Sequence, residues 1–225
     1  MTAGDWQALA ASLGRRFAVV EQTIEAAGRP FALIKPRSSD ELISEDDFNR
    51  DARLPYWADV WPSALCLAER TARIRGAGKR LIELGCGVGL VCAVAAQRGF
   101  EVLATDYYAE ALEFTEVNRA RNGLPPIATR LIDWRNLPSD LGTFDVVAAA
   151  DVLYEKAYPA LIAAAIEHTL AADGLALVAD PGRPGAARFH DECRSRGLAI
   201  ERVLQAPFDN GTVPHTVDLY EIKRA

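Results

Sequence analysis

From residue 54 onward, short apolar runs alternate with stretches whose apolar residues recur every three to four positions. The runs predict strands over 80–85, 101–105, 127–132, 144–150, 174–179, 199–204 and 216–222. The stretches between them predict helices over about 63–74, 90–97, 109–121, 158–170 and 185–196. The run at 144–150 is apolar without a break, as in a central parallel strand covered on both faces. Tyr158, Leu161, Ile162, Ala165, Ile166 and Leu170 form one buried stripe. Ser63 is placed to cap the first of these helices, and Gly76 and Gly99 to end two of them. Strand and helix in alternation predict an α/β fold, a doubly wound, mostly parallel sheet with helices on both faces.

The first 53 residues read differently. Residues 5–13 predict a short helix. Two β-rich runs, 16–24 and 30–35, flank a turn at Gly28 and predict a hairpin. Residues 36–53 are polar and charged, and read as a lid-like connector with one helical turn. The expected organisation is an N-terminal extension over 1–53 and one domain over 54–225, with a turn at Asn210-Gly211 before the closing strand.

Composition narrows the function. A net charge of −6 with no lysine or arginine block argues against duplex nucleic acid, which needs a basic footprint. No apolar run approaches the ~20 residues that span a bilayer, and the N-terminus lacks a signal peptide's basic and apolar blocks, so a cytoplasmic location is the default expectation. The four cysteines, Cys66, Cys86, Cys92 and Cys193, have no zinc spacing, and His168, His190 and His215 lack ligand partners, so no metal site is expected.

The chemistry concentrates at Glu83-Leu84-Gly85-Cys86-Gly87-Val88-Gly89 and at Asp106. A buried strand ends in a glycine turn, and the next ends in a carboxylate that accepts hydrogen bonds from a ribose. Leu90 stands where a dinucleotide fingerprint places its third glycine. Glu83, two residues before the first glycine, suits a cationic ligand better than a pyrophosphate. Here the sequence resembles the class I S-adenosylmethionine-dependent methyltransferases. The resemblance implies a glycine turn (Gly85, Gly87, Gly89) under the methionine part of the cofactor, Asp106 on the ribose, and Glu83 facing the ammonium through water. It also implies a Rossmann-like sheet of seven strands in the order 3-2-1-4-5-7-6, with the last strand reversed.

Asp151-Val152-Leu153-Tyr154 follows the fourth core strand, at the carboxyl edge where open α/β sheets bind ligands. Alone, D-x-x-Y is equally a helix cap and a packed tyrosine. In this place it addresses the same crevice as the glycines. Methyl transfer to an amine needs a neutral nitrogen, whereas a lysine at pKa ~10.4 is charged. Asp151 is therefore read as a group that positions the amine, with Tyr154 beside it. Together with Trp57-Ala58-Asp59-Val60-Trp61-Pro62 and Asp133-Trp134, this motif resembles the seven-β-strand protein-lysine methyltransferases, the group that includes the electron-transfer-flavoprotein β-subunit and chaperone methyltransferases. The resemblance covers roughly 54–183. It implies Trp61 beside the cofactor, Asp133 and Trp134 on the adenine, and Tyr107 and Ala150 along the same site. Asp180-Pro181-Gly182-Arg183 resembles a segment of the flavoprotein-modifying branch, but 183–188 match no pattern, and Tyr107-Tyr108 departs from that branch. Expected is methyl transfer to a protein lysine. A small-molecule amine of nicotinamide type and a non-catalytic cofactor-binding module are the alternatives.

Overall fold

The computed structural model describes residues 3–42, 55–209 and 214–225. The expectations for 43–53 and for the Asn210-Gly211 turn lie outside them. The chain opens with helix α1 (Ala3–Arg16) and an antiparallel hairpin, β1 (Val19–Ala26) and β2 (Arg29–Pro36), turning at Ala27 and Gly28. A one-turn 3-10 helix at Asp40–Leu42 supplies the helical turn expected of the connector. A second, Tyr56–Ala58, precedes helix α2 (Pro62–Ala72).

Ser63 does not cap α2. Pro62 occupies the first helical turn and moves the cap back to Trp61, so the Ser63 hydroxyl lies inside the helix with no hydrogen-bond partner among the described residues. The main sheet is built from β3 (Arg80–Leu84), β4 (Glu101–Asp106), β5 (Ala128–Leu131), β6 (Phe144–Ala150), β7 (Leu170–Asp180), β8 (Leu198–Asp209) and β9 (Pro214–Arg224). Their order is β5-β4-β3-β6-β7-β9-β8, the expected 3-2-1-4-5-7-6. The first five are parallel, and β9 runs antiparallel to both β7 and β8. Helices α3 (Leu90–Gln97), α4 (Ala109–Arg121), α5 (Tyr158–Thr169) and α6 (Ala186–Ser195) connect the strands.

The two faces of the sheet are buried in two apolar clusters. One joins α2, α3 and α4 to Leu13, Ile24, Phe31, Leu33 and Ile34 of the N-terminal elements; the other joins α5 and α6 to Ile82, Leu84, Phe144 and Tyr220. In α3 every residue from Leu90 to Ala96 is buried. That helix is apolar all round and is wedged between neighbours, which fixes the glycine turn at its N-terminus. The hairpin is tied down by polar groups too. Asn118 on α4 accepts the Ile34 N–H at 2.7 Å and donates to the Ile34 carbonyl at 2.9 Å, while Asn122 pairs in the same way with Ala32. Two carboxamides thus satisfy the edge of β2 as a neighbouring strand would.

Candidate active site

The strand order reverses between β3 and β6, so the loops that follow their carboxyl ends diverge and leave a crevice. The crevice encloses about 810 Å³, including the part open to solvent. Of the residues expected there, Trp61, Glu83, Gly85, Gly87, Gly89, Asp106, Tyr107, Ala150, Asp151 and Tyr154 line it. Asp133 and Trp134 do not. Asp133 accepts the Arg135 N–H at 3.0 Å and pairs with its guanidinium at 2.6 Å, forming a local turn after β5. Trp134 stands behind the glycine loop: its ring is 3.3 Å from where a Cβ on Gly85 would be, and it packs edge-on against Tyr158 with centroids 5.2 Å apart.

The glycine loop is shaped by close approach. Gly87 has φ +54°, and a Cβ there would lie 2.9 Å from the Trp57 carbonyl oxygen. Gly89 has φ +86°, and its Cβ would overlap Thr115 on α4. Only glycine meets both demands. Thr115 donates its hydroxyl to the Gly87 carbonyl at 3.0 Å, and Asn118 donates to the Val88 carbonyl at 2.9 Å. On the cleft side Asp106 accepts the N–H groups of Gly87 at 2.9 Å and Tyr108 at 3.0 Å. A carboxylate has about four lone-pair sites, so acceptor capacity remains for a ligand hydroxyl. Burial raises the Asp106 carboxyl to about 6 against those bonds.

Glu83 lies deeper than expected. It is 2 % exposed, and its carboxyl oxygen accepts the Cys92 thiol at 2.8 Å. Burial raises its pKa to about 8. Its backing is therefore a buried thiol on α3, and it sits nearly enclosed in the lining of the cleft.

Aromatic rings form the opposite wall. Tyr154 meets Tyr56 and Tyr158 edge-on, with centroids 5.3 and 5.1 Å apart, and Tyr56 meets Trp61 at 5.9 Å. Trp61 donates its indole N–H to the Tyr56 carbonyl at 2.9 Å, which fixes the ring. Trp57 packs on Phe114 and Tyr108 and lines the cleft with its partly buried ring. Burial pushes the Tyr154 hydroxyl far up, so it stays protonated.

Asp151 stands at the end of β6 with φ +55°, a strained value for a residue with a side chain. Its N–H donates to the Ala179 carbonyl at 2.9 Å, and one carboxylate oxygen accepts the Arg183 Nε at 2.8 Å. Behind it Asp180, fully buried, accepts the N–H groups of Gly182 and Arg183, and burial raises its carboxyl to about 6. Four acids, Asp59, Glu83, Asp106 and Asp151, and an aromatic wall thus line one cleft. Two cations beside it are ion-paired, Lys35 with Asp59 at 2.7 Å and Arg183 with Asp151. Such a surface, with no lysine or arginine in its lining among the described residues, favours a cationic ligand, whose charge would draw the proton off Glu83, and disfavours a pyrophosphate.

Among the described residues no cluster of His, Cys, Asp and Glu is arranged to hold a metal ion, and no helix is long and apolar enough to cross a membrane. Tyr56, Asp59, Tyr108 and Tyr158 line the cleft but were not picked out from the sequence, nor were Thr115 and Asn118 behind it. The last two did leave a signal: Ala111, Phe114, Thr115 and Asn118 follow the i, i+3, i+4, i+7 spacing of a buried face, and two of them are polar.

Comparison with known proteins agrees with this arrangement. A family model described as a methyltransferase domain matches residues 75–215. The chain is 36 % identical over 136 residues to the protein N-lysine methyltransferase METTL21A of Danio rerio, covering 56 % of this chain and 61 % of that one. It is 28 % identical over 157 residues to the electron transfer flavoprotein beta subunit lysine methyltransferase of the same organism, covering 68 % and 59 %. The chain therefore spans about three-fifths of the length of either relative. Among solved structures, the magnesium protoporphyrin IX methyltransferase ChlM from Synechocystis PCC 6803, with bound SAH, superposes with a TM-score of 0.53 at 17 % identity, covering 66 % of this chain and 75 % of that one. The family model spans well over half of the chain, its sheet has the expected class I order, and the chain belongs to the methyltransferase-domain family.

Proposed function

We propose that this protein transfers a methyl group from S-adenosylmethionine to the side-chain amine of a lysine in a protein. One observation carries the reading. The Asp106–glycine cradle and the Asp151–Tyr154 wall face each other across a single acidic cleft. The cradle fits a nucleoside that carries positive charge. Asp106 would hold the ribose hydroxyls, and Gly85, Gly87 and Gly89 leave room where side chains would obstruct. Glu83 would lie toward the ammonium end, and Trp61 and Tyr107 along the flanks. Trp134 enters only as the wall behind Gly85.

When bound, S-adenosylmethionine supplies an electrophilic methyl group, which a neutral amine takes as its lone pair forms the N–C bond, the C–S pair stays on sulfur and the surplus proton leaves to solvent. Asp151 and the rings of Tyr56, Trp61 and Tyr154 hold and orient the amine. Alignment of this kind is a large source of rate for a two-substrate reaction. The aromatic wall, its rings set edge-to-face, also shields the amine from water and receives the charged product by cation–π contact. The METTL21A and flavoprotein relatives are named as lysine methyltransferases, which supports a protein acceptor.

The test is incubation with tritiated S-adenosylmethionine and a lysate of the source organism, followed by electrophoresis and amino-acid analysis. Label in a protein band, recovered as methyl-lysine, is expected. Label confined to dialysable small molecules would move the acceptor to the small-amine alternative. Absence of any transfer, with the cofactor bound, would leave a binding module.

A further inference from the structure

A carboxylate is an awkward partner for the amine it positions. It accepts the amine's N–H, but its charge also holds the amine in the protonated form, which has no lone pair to react. At pH 7 a lysine with pKa ~10.4 is the free base in roughly one molecule in 2500, and each pH unit by which a neighbouring charge raises that value cuts the fraction tenfold. An isolated acid at this position would work against the reaction.

Asp151 is not isolated. One of its oxygens accepts the Arg183 Nε at 2.8 Å. The other is buried and has no partner among the described residues, although only 3 % of the side chain is exposed. Such an orphan acceptor is uncommon and calls for a donor. Both partners of the pair are set from outside it. The strained Asp151 backbone is anchored on β7 through Ala179. The Arg183 backbone is fastened by its N–H to Asp180 at 2.7 Å, and its guanidinium lies 5.8 Å from the centre of the Trp61 ring. We propose that Arg183 is a positioning residue that offsets the charge of Asp151, so that the cleft takes the acceptor amine as its free base while the second Asp151 oxygen accepts its N–H. This rests on the amine-methylation reading above.

Among the described residues, the other titratable groups around the pair are Asp180 behind it, Tyr56, Tyr154 and Tyr158 on the wall, and Asp59 (paired with Lys35), Glu83, Cys86, Asp106, Tyr107 and Tyr108 farther along the cleft. Asp180 pulls in the opposite direction to Arg183. Its carboxyl is raised by burial to about 6; one oxygen accepts two backbone N–H groups, the other, like that of Asp151, is buried with no partner among the described residues, and Asp180 does not line the cleft. Arg183 is then the group that sets the balance.

The experiment is the pH profile of methyl transfer from tritiated S-adenosylmethionine to the lysate proteins that the wild type labels, between about pH 6.5 and 10. It is read for wild type, Arg183→Gln, Arg183→Lys and Asp151→Asn, with a calorimetric cofactor titration beside each. Removing a cation within a few ångströms moves a neighbouring pKa by about 1–3 units. Arg183→Gln should therefore lose at least tenfold in rate at pH 7, with its profile displaced to the alkaline side by about one pH unit or more and activity recovering at high pH. Arg183→Lys should stay near wild type. Cofactor affinity should remain within about threefold in both, because Arg183 does not line the cradle. Asp151→Asn leaves the cation uncompensated, and what activity remains should be displaced to the acid side; this variant carries the test if Arg183→Gln fails to fold. A profile that falls equally at all pH values, or does not move, overturns the role of Arg183 and leaves methyl transfer standing. A wild type that binds the cofactor and labels nothing at any pH overturns the methylation reading itself, and this inference with it.

Discussion

Gly87→Ala perturbs the cradle where it abuts another stretch of backbone, and the structure allows its cost to be divided. Gly87 has φ +54°, and Gly123, at the end of α4, has φ +66°. An alanine at either site takes the left-handed conformation, which costs about 1–2 kcal/mol. The sites differ in what the new methyl group meets. At Gly123 no described residue lies within 4 Å, whereas at Gly87 the Trp57 carbonyl oxygen is 2.9 Å away and belongs to backbone, which cannot swing aside. Relief requires the loop to move by several tenths of an ångström, and the loop is held by Asp106 and Thr115. Backbone strain of this sort adds roughly 1–3 kcal/mol. For a chain of this size 1 kcal/mol corresponds to about 2–4 °C in melting temperature. Gly123→Ala should therefore melt about 2–8 °C below wild type and bind S-adenosylmethionine normally. Gly87→Ala should melt several degrees lower still and lose at least tenfold in cofactor affinity. Differential scanning fluorimetry and calorimetric titration of the two variants side by side make the comparison. Equal melting temperatures together with wild-type cofactor affinity for Gly87→Ala would refute the claim that the glycine is there for close approach.

Four further outcomes are expected. Asp106→Ala should weaken S-adenosylmethionine binding by about 1.5–3 kcal/mol in calorimetry, the scale of hydrogen bonds to a charged group, while the protein remains folded. Burial raises the Glu83 carboxyl to about 8 in the folded chain, from an ordinary value of 4.5. The folded state thus binds more protons than the unfolded state in between, so its stability contribution is present in full below pH 4.5 and lost as the pH rises toward 8. Urea denaturation at pH 5, 7 and 9 should show less of this fall in Glu83→Gln, which keeps an acceptor for Cys92; an unchanged slope would mean Glu83 does not titrate there. Asn118→Leu leaves the buried Ile34 N–H and carbonyl unpaired and should cost roughly 2–4 kcal/mol in urea denaturation, with early proteolysis in the hairpin over 19–36. Asp151→Ala and Tyr154→Phe should lower single-turnover methylation more than cofactor affinity, since both act where the amine arrives; wild-type rates in both would make the D-x-x-Y segment structural.

The parts of the fold that could be read from sequence are those where periodicity and punctuation coincide. Helices α3 and α4 were legible to the residue because Gly89, Gly99 and Asn122-Gly123 bracket them and tertiary burial reinforces the pattern. The ribbon of β8 and β9 is longer than its apolar runs announce. Val203 and Leu204 are exposed, so the contrast between inside and outside that marks a strand fades there. The start of β7 at Leu170 was read as helix end, since one apolar residue serves both the stripe of α5 and the pairing with Phe144.

In the site, the acids and glycines were legible as types because their chemistry is local to strand ends. Their partners were not. Cys92 lies nine residues from Glu83, Arg183 lies 32 from Asp151, and nothing in the intervening sequence links them before the sheet brings β6 and β7 side by side. Asp133 engages a near neighbour for the converse reason. The acid two residues before an arginine closes a local turn, a short-range satisfaction that competes with any longer-range role.

The most direct measurement of the central claim is a pair of calorimetric titrations of the wild-type chain, one with S-adenosylmethionine and one with NAD. The acidic, glycine-lined cleft with Glu83 at its floor predicts saturable micromolar binding of S-adenosylmethionine, lost in Asp106→Ala, and no heat of binding with NAD. Micromolar binding of NAD without binding of S-adenosylmethionine would contradict it.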